Sequence, residues 1–156
     1  METPSEPGLY VPEPHAYVLD VPPHPGYVGT ARLFAGAVAR RFGADEDSVE
    51  ELKLAVSEAC TGAIRAQADS ATAPVRVEAE HADARITFRI EADGVELPWR
   101  ETTDDALAEL SSPTEDVMTS LSIQLIRGLF EDARIVENPR GGTGVRFSVS
   151  LGSSRS

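Results

Sequence analysis

The segment from Asp45 to Gln67 constrains the fold most strongly, because its apolar residues recur at helical spacing along a single stripe. Such a helix is stable in water only when another layer of the protein covers the stripe. Acidic residues crowd its first turn, and Ser48 with Glu51 has the spacing of a capping box. The stripe consists of Val49, Leu52, Val56, Ala59, Cys60, Ala63 and Ile64. The chain must therefore supply a second layer against this helix.

The rest of the sequence supplies that layer. Alternation of apolar and polar residues predicts strands at 15–21, 75–80, 85–90, 133–137 and 145–151, with a turn at His81–Ala84. Two further helices are predicted, from Tyr27 to Phe42 and from Val117 to Phe130. The first has an apolar stripe of Val28, Ala31, Leu33, Phe34, Ala37, Val38 and Phe42, and the last is expected to bury Leu121, Leu125, Ile126 and Leu129. This order predicts an α/β two-layer sandwich, with one mixed β-sheet covered on one face by helices.

The chain of 156 residues has the length of one domain, predicted at 16–151. The proline-rich residues 1–15 are expected to be a disordered tail, and 152–156 a short C-terminal tail. No apolar run approaches the roughly 20 residues that span a bilayer, and the N-terminus lacks the pattern of a signal peptide. These features predict a cytoplasmic protein that does not bind membranes.

The net charge of −12 disfavours nucleic-acid binding, since phosphate backbones repel an acidic surface. His15, His24 and His81 are scattered along the chain, and Cys60 lies within the apolar stripe. The sequence therefore predicts neither a metal site nor a Cys–His nucleophile pair, and it places Cys60 in the core.

The stretch Glu51–Ala66, ELKLAVSEACTGAIRA, resembles the N-box helix of the GHKL (Bergerat, or histidine kinase-like) ATPases. The stretch resembles that motif in the form found in the bacterial anti-sigma-factor kinases of the RsbW and SpoIIAB type. The resemblance extends from about Tyr17 to Leu151, with the same order of elements. It implies the fold of that family, a site for ATP and Mg²⁺, and a role in regulating transcription, including the stress response, in bacteria.

In this helix, one residue matches the site pattern of the family and another departs from it. Glu58 matches the glutamate that serves as general base in phosphoryl transfer. Four residues later, on the same helix face, the family has an asparagine that binds Mg²⁺, and this chain has Gly62. Glycine has no side-chain oxygen for a metal, so the ATP site is expected to be degenerate.

The other motifs of the family are matched in part. For the adenine-binding D-x-G-x-G, the chain offers Asp93 or Glu91 with Gly94, although the dipeptide DG is equally typical of an ordinary turn. The phosphate-binding glycine loop aligns with Thr119–Ser122, which contains no glycine. Gly142 and Thr143 match the final motif, with a plain glycine-rich hairpin loop as the alternative.

Two functions follow as hypotheses. In the first, the protein is an anti-sigma-like binding module that switches between a sigma factor and a STAS-domain anti-anti-sigma protein, with weakened or lost ATP binding and no required cofactor. In the second, it is an active serine/threonine protein kinase that uses ATP, Mg²⁺ and Glu58 to phosphorylate a STAS partner.

The predicted partner-binding residues are Arg32, Arg40 and Arg41 on the first helix, since arginine pairs well with carboxylates. Relatives in this family are often homodimers, which makes a dimer a further expectation.

Overall fold

The computed structural model describes residues 15–67, 72–97 and 123–151. The strands are β1 His15–Val21, β2 Val75–Ala82, β3 Arg85–Glu91, β4 Arg134–Glu137 and β5 Thr143–Ser150, and the helices are α1 Val28–Arg41 and α2 Glu46–Arg65. A single 3-10 turn at Pro25–Tyr27 leads into α1. Residues 123–129 are also helical and are called α3. No helix in these described ranges is long and apolar enough to cross a membrane.

The strands form one sheet in the order β1-β2-β3-β5-β4. All four strand pairs are antiparallel, and the one parallel pairing within the described residues is an isolated bridge between Val95 and Gly142. The predicted two-layer α/β sandwich is therefore confirmed, but the sheet is antiparallel where a mixed one was expected. The physical reason is that two helices join β1 to β2, so the chain re-enters the sheet in the opposite direction, whereas a single crossover helix would have made the strands parallel.

Local sequence explains where α2 begins and how β2 turns into β3. The carboxylate of Asp45 caps α2 by accepting a hydrogen bond from the Ser48 amide at 2.8 Å. The capping box predicted from Ser48 and Glu51 is thus replaced by a cap that begins three residues earlier. Between β2 and β3, Asp83 and Ala84 both have positive φ, which is the conformation of a two-residue hairpin turn.

The core lies between the helices and one face of the sheet. Its largest fully buried side chains include Leu52 of α2, Ile86, Phe88 and Ile90 of β3, and Phe147 of β5. Phe147 stacks on Phe88 and on Phe130, with ring centroids 6.0 and 5.1 Å apart. The predicted stripe of α2 is buried except for the partly buried Ile64. Burial raises the pKa of the Cys60 thiol to about 12, so this cysteine is an inert core residue.

The stripes predicted for α1 and for α3 were wrong in part. Leu33 is 72% exposed and Ala37 is also exposed, so both lie on the outer face of α1. Leu125 of α3 is 40% exposed, whereas Ile126 beside it is fully buried. Leu121 lies outside the described residues. An apolar stripe read from spacing alone is wider than the surface that the sheet can cover, and these side chains fall outside the covered part.

Candidate functional site

Two loops that carry the predicted site residues lie side by side at one end of the sheet. The segment 92–97 follows β3, and the segment 138–143 joins β4 to β5. The Gly94 amide donates to the carbonyl of Gly141 at 2.8 Å, and the Thr143 amide donates to the carbonyl of Val95 at 3.0 Å. We call these two segments the paired loops. The structure therefore brings together Gly94, Gly142 and Thr143, which the sequence analysis assigned to one site.

The closeness of the paired loops explains the glycine at position 142. Gly142 has φ of +86°, and a Cβ atom placed there would lie 2.1 Å from the carbonyl oxygen of Val95. No side chain fits in that space. The Thr143 hydroxyl oxygen accepts a hydrogen bond from the Leu97 amide at 2.8 Å. The predicted adenine-holding threonine thus fixes the other loop in this structure.

An open cavity of about 400 Å³ lies between the C-terminal end of α2 and the first of these loops. Its lining comprises Ala66, Gln67, Thr72, Ala73, Asp93, Gly94, Val95 and Glu96. Gln67 organises the far wall, because its side-chain oxygen accepts hydrogen bonds from the amides of Thr72 and Ala73 at 3.0 and 2.9 Å. Sequence analysis missed Gln67, since a glutamine just after a helix carries no specific signal.

Asp93 lies at the centre of an ion cluster. Its carboxylate accepts two hydrogen bonds from Arg76, at 3.1 and 2.9 Å, and one each from Asn138 and Arg140, both at 3.1 Å. The Arg76 guanidinium first, and then the Asn138 amide and Arg140, hold the pKa of Asp93 well below its usual range. The carboxylate that was expected to receive the adenine amino group is therefore engaged within the chain.

The two residues before Asp93 do not offer a free carboxylate to adenine either. Glu91 is buried, and its carboxylate contacts Arg76 at 3.1 Å and Arg89 at 3.0 Å. Ala92, between the two acidic residues, is fully buried and offers only a methyl group. Counting back two residues from Gly94, as the pattern D-x-G requires, also leads to Ala92. Neither acidic candidate is left with an unengaged carboxylate, and the aligned position is apolar.

On α2, one predicted site residue matches the family motif and another departs from it. Glu58 is half-buried on α2, and Gly62 is buried one turn later. Beside them, the buried Ser57 hydroxyl accepts a hydrogen bond from Arg32 of α1 at 2.9 Å. This bond ties the first two helices together close to Glu58. Thr119–Ser122, the predicted phosphate loop, lies outside the described residues.

The three arginines of α1 are exposed and reach in different directions. Arg32 reaches α2 through Ser57, and Arg40 forms a two-pronged ion pair with Glu46, with both N–O distances 3.2 Å. Arg41 reaches Tyr17 of β1 at 3.4 Å. Each of the three therefore contacts a different element, although all three occupy exposed positions of α1.

Comparison with known proteins settles the family. The model of the histidine kinase-like ATPase domain matches residues 21–149. This chain belongs to that family. The match covers every element from the end of β1 to β5, including both paired loops.

Several relatives are serine-protein kinases named RsbW, and their similarity is local. RsbW of Bacillus subtilis is 51% identical over 47 residues, which is 30% of this chain and 29% of that kinase. RsbW of Oceanobacillus iheyensis is 52% identical over 46 residues, with the same shares. RsbW of Halalkalibacterium halodurans is 37% identical over 56 residues, or 36% of this chain and 35% of that protein. The chain thus spans about a third or less of the length of these relatives.

The fold itself has a solved counterpart. A crystal structure of the RsbU and RsbW domains of a Mycobacterium tuberculosis protein superposes with a TM-score of 0.61. That match covers 88% of this chain and 32% of the other, at 16% sequence identity. At this identity the likeness establishes the shared fold and no more.

ATP with Mg²⁺, the cofactor implied by the histidine kinase-like family, fits the described residues poorly. The Mg²⁺ position on α2 is a glycine, Gly62, without an oxygen ligand. Ala92, two residues before Gly94, offers only a methyl group where the motif would place its aspartate, and Asp93 already accepts hydrogen bonds from three side chains. Only Glu58, Gly94, Gly142 and Thr143 keep the residue types of the motif. The described residues thus include several residue types of the motif, but neither an oxygen ligand at Gly62 nor an unengaged carboxylate at Glu91 or Asp93.

Proposed function

We propose that this protein is an RsbW-like anti-sigma module that acts by partner switching, holding a sigma factor or a STAS-domain anti-anti-sigma protein without phosphorylating either. The family membership supports the fold and the local likeness to RsbW supports the regulatory class. The single observation that carries the proposal is the engagement of Asp93 by Arg76, Asn138 and Arg140. A residue held by three internal donors is unsuited to accept the amino group of adenine.

Typical contact energies show how much nucleotide affinity the changed site residues would remove. Hydrogen bonds and contacts to charged groups each contribute about 1.5–3 kcal/mol. Loss of the metal ligand at Gly62 and of the adenine acceptor would therefore remove about 4 kcal/mol, which is roughly a thousandfold in affinity. A micromolar ATP site would become millimolar. The module would then bind its partners in a manner independent of ATP.

The outer face of α1 is the surface that we assign to the partner. Leu33 is 72% exposed and lies next to Arg32, whose guanidinium is anchored by Ser57 of α2. A fixed arginine beside an exposed leucine combines charge with apolar area, as partner surfaces commonly do. Arg40 and Arg41 lie further along the same helix, so the surface extends over the length of α1.

The second candidate is an active serine kinase, and Glu58 favours it. This residue stands where the family has its general base, and the cavity of about 400 Å³ is open next to the end of α2. In that case another oxygen ligand would have to replace the asparagine missing at Gly62.

The two candidates are separated by titrating the purified chain with ATP and Mg²⁺ in a calorimeter, followed by a phosphoryl-transfer assay on STAS proteins of the host. We expect no binding at low micromolar ATP and no transfer. The variant Glu58→Ala should capture a partner as well as the parent does. ATP-dependent phosphorylation of a STAS serine that disappears in Glu58→Ala would establish the kinase instead.

The partner surface has its own test, in which Arg32 and Arg40 are both changed to glutamate. We expect capture of the sigma factor or STAS protein to weaken at least tenfold in a biosensor assay. The matched control is Arg65→Glu with Lys53→Glu, which changes the net charge equally on α2. Equal losses in both variants would show a general charge effect and refute the assignment to α1.

A further inference from the structure

The face of the sheet opposite the helices carries all five arginines found in the described strands. Side chains alternate along a strand, so the residues between buried core positions point to this outer face. They include Arg76, Arg85, Arg89, Arg134 and Arg146. The chain has 14 basic residues in all, so more than a third of them lie on this one face of a protein with net charge −12.

Three of these arginines stand in one row across neighbouring strands. Arg89 of β3 is paired in register with Arg146 of β5, and Arg146 is paired in register with Arg134 of β4. Adjacent strands are about 4.8 Å apart, so the row spans roughly 10 Å. We call Arg89, Arg146 and Arg134 the arginine row.

Two members of the row, Arg134 and Arg146, differ from the other three arginines of the face. Arg89 contacts the Glu91 carboxylate at 3.0 Å and donates to the carbonyl of Glu137 at 2.6 Å. Arg76 and Arg85 form ion pairs with Asp93 and Asp132, respectively. Within the described residues, by contrast, neither Arg134 nor Arg146 forms a hydrogen bond or an ion pair. Like charges directly opposed on neighbouring strands destabilise a sheet. A sheet that keeps two unpaired arginines in register retains a feature that folding does not favour, and such features often serve binding.

We propose that Arg146 and Arg134 of the arginine row bind an acidic helical segment of a partner protein, with carboxylates one helical turn apart. Side chains at positions i and i+4 of a helix are about 5–6 Å apart, which matches the spacing between neighbouring arginines of the row. Guanidinium groups bind carboxylates with two parallel hydrogen bonds, so Arg146 and Arg134 can each hold one acidic side chain. The proposal does not rest on the α1 surface, because the row lies on the opposite side of the sheet.

The surroundings of the row favour protein over nucleic acid as the partner. Glu78 and Glu80 line a shallow depression of about 100 Å³ together with Thr87, Arg89 and Arg146. These glutamates would repel a continuous phosphate backbone laid over β2. A short acidic helix can avoid them by lying over β5 and β4, where Arg146 and Arg134 are free of acidic partners among the described residues.

The test uses a labelled helical peptide with glutamate at every fourth position of one face, and the same peptide with glutamine in those places. Binding to the full chain is measured by fluorescence anisotropy over a range of salt concentrations. We expect the glutamate peptide to bind at least tenfold more tightly than the glutamine peptide. The double variant Arg134→Gln with Arg146→Gln should lose at least tenfold of that affinity and bind with a smaller salt dependence.

The matched control is Lys53→Gln with Arg65→Gln, which removes the same charge from α2 and should stay within twofold of the parent. The double variant should unfold at the same temperature as the parent or a higher one, since a repulsive pair has been removed. Equal peptide affinity in the parent and the Arg134/Arg146 variant would overturn the proposal. Equally tight binding of single-stranded DNA, lost in the same variant, would also overturn it by assigning the row to nucleic acid.

Discussion

Helix α2 and the paired loops both carry residues predicted for a nucleotide site, yet different interactions hold them in place. The motif residues of α2 that face the sheet, such as Leu52, Val56, Ala59 and Cys60, are all fully buried. The paired loops are held instead by backbone hydrogen bonds and by the polar cluster around Asp93. The helix that resembles the N-box of the family is thus also a helix that the core requires.

This difference changes what the resemblance means. A buried helix keeps its sequence because a change in side-chain volume costs stability, whatever the site does chemically. Gly62 and Ala92 are buried as well, but neither offers a polar side-chain group. Likeness in α2 is therefore strong evidence for the fold and weaker evidence for phosphoryl transfer.

The contrast between α2 and the paired loops predicts that a change in the buried stripe of α2 causes the largest loss of stability. Leu52→Ala should lower the free energy of unfolding by about 2–5 kcal/mol, because it leaves a cavity in a fully buried position. The control is Leu54→Ala on the same helix, where the leucine is 41% exposed and the loss should be less than about 1 kcal/mol. Urea denaturation followed by circular dichroism measures both. Similar losses in the two variants would contradict the packing described for α2.

A smaller loss is expected where the paired loops approach each other. Gly142→Ala should cost about 1–3 kcal/mol, because φ is positive and the added carbon collides with the Val95 carbonyl. Gly43→Ala is the matched control, since Gly43 has nearly the same φ but no atom within 4 Å of the added carbon. It should cost only the left-handed conformation, about 1 kcal/mol. If the two variants unfold alike in thermal denaturation, the loops are not in the contact that the structure shows.

The sequence was sufficient to predict the parts of the fold that depend on periodicity. The one-sided stripe of α2 and the alternation in β2 and β3 led directly to the two-layer sandwich. Strand direction was not predictable in this way, because it depends on how the α1–α2 pair returns the chain to the sheet. The exposure of Leu33 was missed for a related reason: spacing shows which residues share a face, but not how much of that face is covered.

For the candidate site, the sequence predicted which residues lie together but not all of the contacts that they make. Gly94, Gly142 and Thr143 were assigned to one place, and the structure brings them together. The engagement of Asp93 could not be foreseen, since Arg76, Asn138 and Arg140 are far from it in sequence and only the folded sheet joins them. Long-range polar contacts of this kind leave no periodic signal.

The ion cluster gives a prediction that depends on pH. Because the pKa of Asp93 is lowered in the folded protein, its ionised form stabilises folding at any pH above the unfolded value of about 4. That contribution is lost as the pH falls below about 4 toward the lower folded pKa. Asp93→Asn should therefore cost about 1 kcal/mol at neutral pH, since the side chain is 39% exposed and partly screened.

This cost should shrink as the pH approaches 2, because the parent then loses the same interaction. Urea denaturation of the two proteins at several pH values measures the difference. Asp20→Asn is the matched control, since Asp20 lies 3.6 Å from the same Arg76 but is 57% exposed and should matter less. A cost for Asp93→Asn that does not change between about pH 6 and pH 2 would remove Asp93 from the pH-dependent part of stability.

The smallest predicted effect on stability, and the sharpest test of the contrast between α2 and the paired loops, comes from restoring the family residue with Gly62→Asn. Replacing a glycine inside a helix favours the helix by up to about 1 kcal/mol, but Gly62 is buried, and an amide placed there must find hydrogen-bond partners. The two terms oppose each other, so the net change should be within about 1 kcal/mol of zero. Gly62→Ala is the control, because it gains helix propensity without adding a polar group.

In calorimetry, Gly62→Asn should still not bind ATP with Mg²⁺ at low micromolar concentration, since Ala92 and the engaged Asp93 are unchanged. If the single asparagine did give such binding, the proposed weakness of ATP binding would lie in α2 alone, and the paired loops would be competent to hold adenine.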